Sequence, residues 1–166
     1  MKAAVVVGML SGATYSLFTL YAMLAPVPYS TWDYTNSALY LTFLIALLGL
    51  AVGLIQYKQM FSQLIGAVAV ASLLFTSFSL LTYWISTAFF ADRLYQLPFF
   101  AKDYAYHGYT SPQQYLFTGN NYVELMQLQA FSCVLTFLFR VALAGAVAWV
   151  WQQIRNRPES VRKESN

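Results

Sequence analysis

The chain has 166 residues, of which 59% are hydrophobic and 9% charged, with a formal net charge of +3. An ordinary soluble domain carries roughly 25% charged residues, so polar groups are too few here to cover a water-facing surface, and lipid is the expected solvent. The single cysteine, Cys133, excludes an intramolecular disulfide, and a basic cluster confined to Arg155, Arg157, Arg162 and Lys163 reads as an orientation signal, with no nucleic acid as partner.

Four apolar segments are long enough for the about 20 helical residues that a bilayer core requires. The first covers 3–24 and ends at "APVP", where Pro26 and Pro28 break a helix. Lys2 resembles the start of a signal peptide, but no small-x-small cleavage site precedes the prolines, so the segment is expected to remain as a span. The second covers 37–56. A short connection containing Lys58 leads to the third, 64–90. The fourth covers 130–151, and its helix is expected to begin near Asn121. All four call for helix, because a lone strand in lipid leaves its backbone groups unpaired. The expected fold is all-α: an integral membrane bundle of four helices over 1–156, followed by a disordered basic tail at 157–166.

Four spans put Lys2, Lys58 and the C-terminal basic residues on one side. Arg93 and Lys102 fall on the other, beside Asp33, Asp92, Asp103 and Glu124. The positive-inside rule then places both termini in the cytoplasm and the loop 91–129 outside.

That loop is crowded with Tyr95, Tyr104, Tyr106, Tyr109, Tyr115, Tyr122, Phe99, Phe100 and Phe117. Pro98 should end whatever continues from the third span. Ser111 before Pro112 forms a helix start, an N-cap hydroxyl followed by proline at the first helical position. "TGNN" reads as a turn, with Asn121 capping the run into the fourth span. One or two short helices against the bundle mouth are therefore expected, as an interfacial aromatic belt in preference to a lid over a pocket. His107, the only histidine, reads as a solvated loop residue, since a metal or haem site needs several ligands; no metal or cofactor is expected.

Helical spacing separates an inner half from an outer half. Gly8 and Gly12 on the first span and Gly49 and Gly53 on the second are small-xxx-small pairs that let backbones approach. Gly66 opens the third span among alanines, and Gly145 lies in the alanine-rich end of the fourth. All fall in the cytoplasmic half and are expected to pack helix on helix. In the outer half, three- and four-residue spacing lines up Gln129, Ser132 or Cys133, Thr136 and Arg140 on the fourth span. Thr76, Ser79, Tyr83 and Ser86 or Thr87 form a stripe on the third, and Ser11, Tyr15 and Thr19 one on the first. About half of these hydroxyls are expected to bond back to their own helix.

Arg140 is the exception, a permanent cation near the middle of a span. An arginine there costs on the order of 2.5 to 3.5 kcal/mol on insertion scales. Two roles compete: pairing with Asp92, Glu124 or helix carbonyls, or holding a carboxylate, phosphate or sulfonate ligand in an outward polar pocket. The spacing brings Thr136, Gln129, Tyr83 and Ser79 into the same candidate site. Pairing with a protein acid is the preferred expectation.

No catalytic constellation is present: no Ser/His/Asp set, no paired intramembrane carboxylates, no HExxH, no phosphate loop. An enzyme is not expected. A single four-helix unit with no clear internal repeat is small for alternating access. A structural or accessory protein, partnered by lipid and by itself as a homodimer or by a larger membrane complex, needs only specific surfaces. The alternative is a receptor or carrier for a small anionic or amphipathic ligand near Arg140.

"LSG" at 10–12, "VGLIQYK" at 52–58, the small-residue-rich third span, the long outward segment and the basic tail together carry a resemblance over nearly the whole chain. The sequence resembles the small bacterial four-helix membrane proteins grouped as domain of unknown function family 4199. It departs from them where a shorter turn and "QMFSQL" follow Lys58. The resemblance implies a four-helix fold in a bacterial inner membrane and supplies no catalytic residue.

Overall fold

The computed structural model describes residues 1–25, 29–56, 61–94 and 108–155, and among these every regular element is a helix. In chain order they are α1 (Lys2–Leu24), α2 (Tyr29–Gln56), α3 (Phe61–Phe89), α4 (Ala91–Leu94), α5 (Pro112–Leu116) and α6 (Asn121–Arg155). Four of them, α1, α2, α3 and α6, are long and apolar enough to cross a membrane. Pro26, Pro28, Lys58, Pro98, His107 and the tail 157–166 lie outside the described residues, as do the 95–107 aromatics.

Two helices begin well before their apolar runs. α2 starts at Tyr29, although its membrane-length apolar stretch begins at Asp33. α6 starts at Asn121 and runs for 35 residues, so the expected early start of the last helix is met. A polar first turn is no obstacle to a helix whose later turns bury an apolar face.

α1 and α3 form the largest helix interface, and they run parallel. Gly8 meets Ala71 and Leu74, Gly12 meets Phe78, and further along Thr82 Oγ1 donates to Ser16 Oγ at 2.7 Å. The glycines explain the closeness. A Cβ on Gly8 would stand 2.6 Å from the Ala71 carbonyl oxygen, and one on Gly12 would stand 2.8 Å from the Phe78 ring. α6 runs antiparallel to α3, with Gly145 at Ile65 and Arg140 at Ser72. α2 touches all three other long helices, so α2 and α3 form the short diagonal of the bundle.

The core is Phe43, Leu47 and Ala51 of α2, Leu64, Ala67, Val68, Ala71 and Phe75 of α3, with Ala4, Ala144 and Ala148 from the outer two helices. The outside of the shafts is equally apolar: Leu10, Leu17, Leu41, Ile45, Leu73, Leu81, Phe131, Leu138 and Phe139 are all exposed. An exposed apolar girdle of this extent suits a hydrocarbon solvent and not water.

The small-residue expectation needs correction for half its members. Gly8, Gly12 and Gly145 lie against neighbouring helices, but Gly49, Gly53 and Gly66 have no atom within 4 Å of where a Cβ would stand. On α2 the inward face is taken by Phe43, Leu47 and Ala51, which leaves Gly49 outside.

At the other end of the bundle, Met23, Ala91 and Leu116 form a small second cluster with Phe90, Tyr115 and Leu125. It seats α4 and α5 over the ends of the long helices. Ser111 caps α5 as its sequence requires, accepting from Gln114 N at 3.1 Å with Pro112 following. The turn ahead of α6 forms around Gly119, whose φ of +61° suits glycine. Asn121 does not cap α6, however. The Asn120 carbonyl accepts the first helical bond, from Glu124 N, while Asn121 Nδ2 donates to Tyr115 O and ties α6 back to α5.

Candidate functional site

Arg140 is 3% exposed and lies in the middle of the bundle. Its side chain leans toward the N-terminus of α6, as helical geometry requires. Nε donates to Thr136 O at 3.1 Å and Nη2 to Thr136 Oγ1 at 3.1 Å, so one turn of its own helix binds two edges of the guanidinium. Nη1 reaches across to Ser72 Oγ of α3 at 3.4 Å. The Thr136 hydroxyl, accepting from Arg140, donates in turn to the carbonyls of Ser132 and Cys133 at 3.0 Å each. Both faces of the seam are therefore linked through one cation.

Aromatic rings surround it. The guanidinium carbon stands 5.2 Å from the ring centre of Phe75 and 5.6 Å from those of Tyr40 and Phe43. Phe43 and Phe75 are stacked, 4.1 Å apart and nearly coplanar, and Tyr15 of α1 packs on Phe75 at 5.4 Å. The electron-rich faces of such rings attract a cation, by roughly 0.5 to 2 kcal/mol each depending on desolvation. All four long helices thus contribute a side chain to the surroundings of one charge.

No carboxylate belongs to this set. Among the described residues its neighbours are Thr136, Ser72 and the rings of Tyr40, Phe43 and Phe75. The expected pairing with Asp92 or Glu124 is therefore corrected: neither is brought to the guanidinium. Glu124 lies 16 residues up the same helix, about 24 Å away at 1.5 Å per residue, and α3 carries the chain about 25 Å between Ser72 and its end at Phe89, before Asp92. Both acids are exposed.

The remaining predicted members divide. Thr136 is a direct partner. Ser79, Tyr83 and Gln129 are half-buried on the facing stripes of α3 and α6, but they lie two to three turns further along and do not touch Arg140. Ser72, Tyr40, Phe43 and Phe75 were not anticipated. Ser72 continues the Thr76 stripe one turn inward, a signal present in the spacing. The aromatics carry no such mark, because in an apolar span a ring facing the core and a ring facing lipid look alike.

The hydroxyl expectation holds in part. Of the stripe hydroxyls, Thr19 and Thr136 bond back to their own helix carbonyls, as do Thr42 and Ser77 outside the stripes. Ser16 and Thr82 pair between α1 and α3. Toward the C-terminal end of α3, Thr76 Oγ1, Ser86 Oγ and Thr87 Oγ1 are buried with no hydrogen-bond partner among the described residues. By helical spacing all three belong to the stripe of Ser72, Ser79 and Tyr83, the one that meets α6.

Among the described residues no group of three or more His, Cys, Asp or Glu is placed to hold a metal ion. Compared with protein families, curated proteins and solved structures, the chain matches none.

Proposed function

We propose that the chain is a non-enzymatic, multi-pass protein of a bacterial inner membrane, with a structural or accessory role and with both termini in the cytoplasm. Its partners are the lipid bilayer and either a second copy or a larger membrane complex. The observation that carries the reading is the use made of Arg140. Its hydrogen bonds go to α6 and α3, and rings of α2 and α3 enclose it, so the one charge in the shafts serves to hold helices together. The outer apolar girdle supports insertion. Charge at the bundle ends supports the orientation: among the described residues Lys2 and Arg155 share one end, where Arg155 Nη1 donates to Ile55 O at the end of α2, whereas the other carries one basic residue, Arg93, beside Asp33, Asp92 and Glu124. Gly49, exposed, and Gly53, half-buried with open space where a Cβ would stand, offer a close-packing surface on α2 to another helix. The four-helix resemblance implies the same fold and a bacterial inner membrane.

A second reading, a receptor or carrier with an outward polar site, is favoured by one observation, the buried and unpartnered hydroxyls of Thr76, Ser86 and Thr87. R140Q separates the two. Loss of melting temperature and of a monodisperse species in detergent, with no ligand present, supports the structural role. An intact fold that no longer responds to anions supports the second.

A further inference from the structure

We infer that the seam between α3 and α6 holds one small monovalent inorganic anion, of the halide class, between Arg140 and Thr76. The inference rests on the second reading above and names its ligand. A guanidinium has five N–H donors. Those of Arg140 meet Thr136 O, Thr136 Oγ1 and, at the long distance of 3.4 Å, Ser72 Oγ, which are dipoles and not charges. The register set by Arg140 against Ser72 and Gly145 against Ile65 brings Thr76 level with Thr136. Thr76 is 8% exposed and its Oγ1 has no partner. A cation without an anion thus stands one helix turn from a buried hydroxyl with nothing to donate to. One negatively charged acceptor satisfies both.

Charge and size narrow the class. A single positive charge in a medium of low dielectric is neutralised by one negative charge, and a divalent anion would leave an excess one buried. Ser79, Ser86 and Thr87 line the outward continuation of the seam with short hydroxyl side chains, which suit a small ion that hydroxyls can solvate. Ser86 Oγ and Thr87 Oγ1 lie about 15 Å further along α3 and are buried without partners too.

The test uses the full chain in nanodiscs of zwitterionic lipid, melted in sodium chloride, bromide, gluconate or decanoate at constant ionic strength. Chloride and bromide are expected to raise the melting temperature over gluconate. T76V, which keeps the shape and removes the hydroxyl, should abolish the difference while keeping the helical spectrum. A response to decanoate alone, lost in T76V, overturns the halide class and leaves the ligand site standing. No response to any anion, or a halide response unchanged in T76V, overturns the site itself. If T76V yields no helical protein, bromide NMR on the wild type decides: a line broadened by the protein and restored by chloride supports the site, and an unbroadened line overturns it.

Discussion

Arg140 and Phe75 meet in the centre of the bundle with the guanidinium carbon 5.2 Å from the ring centre, and among the described residues no acid pairs with the guanidinium. The ring also stacks on Phe43 at 4.1 Å, so it serves both the cation and the α2–α3 contact. Replacement by leucine keeps an apolar side chain but loses the attractive face. F75L is expected to destabilise the bundle by about 1 to 3 kcal/mol through lost packing and lost cation–π attraction. A double-mutant cycle with R140Q should return a coupling of about 0.5 to 2 kcal/mol. Additive effects would mean that the ring and the cation are neighbours without interacting.

The glycines divide into two classes with opposite expectations. G8A places a methyl 2.6 Å from a backbone oxygen that cannot turn aside, so α1 and α3 must separate. The expected loss is about 1 to 3 kcal/mol, read as resistance to unfolding in mixed micelles. G49A, by contrast, meets open space in the bundle and should leave the fold unchanged, or stabilise it by up to about 1 kcal/mol through helix propensity. If α2 is the surface on which a second copy packs, G49A will instead change the oligomeric state seen by cross-linking. Equal destabilisation by both variants would contradict the assignment of Gly8 alone to the interior.

These two cases show what the residue pattern carries and what it omits. Length and apolarity suffice for the four spans, and α1 begins within one residue of its expected start. The Ser111–Pro112 start of α5 was legible because a cap is a local device. Thr136 was legible as a neighbour of Arg140 because four residues is one helical turn. Which of the two GxxxG pairs faces inward was not legible, since every face of such a helix is apolar. Asp92 and Glu124 were sought because opposite charges attract. Helix rise puts them out of reach; a helix carbonyl, the other expected partner, takes their place together with aromatic faces, which carry no formal charge to notice.

Thr82 and Ser16 form the one hydroxyl–hydroxyl bond between α1 and α3 among the described residues, at 2.7 Å. Ser16 passes the chain on to Phe78 O at 3.4 Å. S16A leaves the Thr82 donor stranded and should cost about 1 to 3 kcal/mol, as should T82V. The double variant S16A/T82V removes both groups and should cost less than the sum. Strict additivity in a melting series would show that the two hydroxyls do not depend on each other.

Topology gives a separate expectation. With native Cys133 replaced by alanine, a cysteine placed at Thr118, exposed in the turn before α6, should react with a membrane-impermeant maleimide added outside intact cells. A cysteine at the exposed Lys2 should react only after lysis. The reverse pattern would invert the bundle in the membrane, and labelling of both in intact cells would contradict the three crossings between the two sites.

The most direct measurement compares the thermal unfolding of D92N/E124Q with that of R140Q in the same detergent. With Arg140 held by Thr136, Ser72 and the rings of Tyr40, Phe43 and Phe75, removing both acids should leave the unfolding free energy within about 0.5 kcal/mol of wild type, while R140Q lowers it clearly. A fall in D92N/E124Q that matches the fall in R140Q would show that a protein acid answers the buried arginine after all.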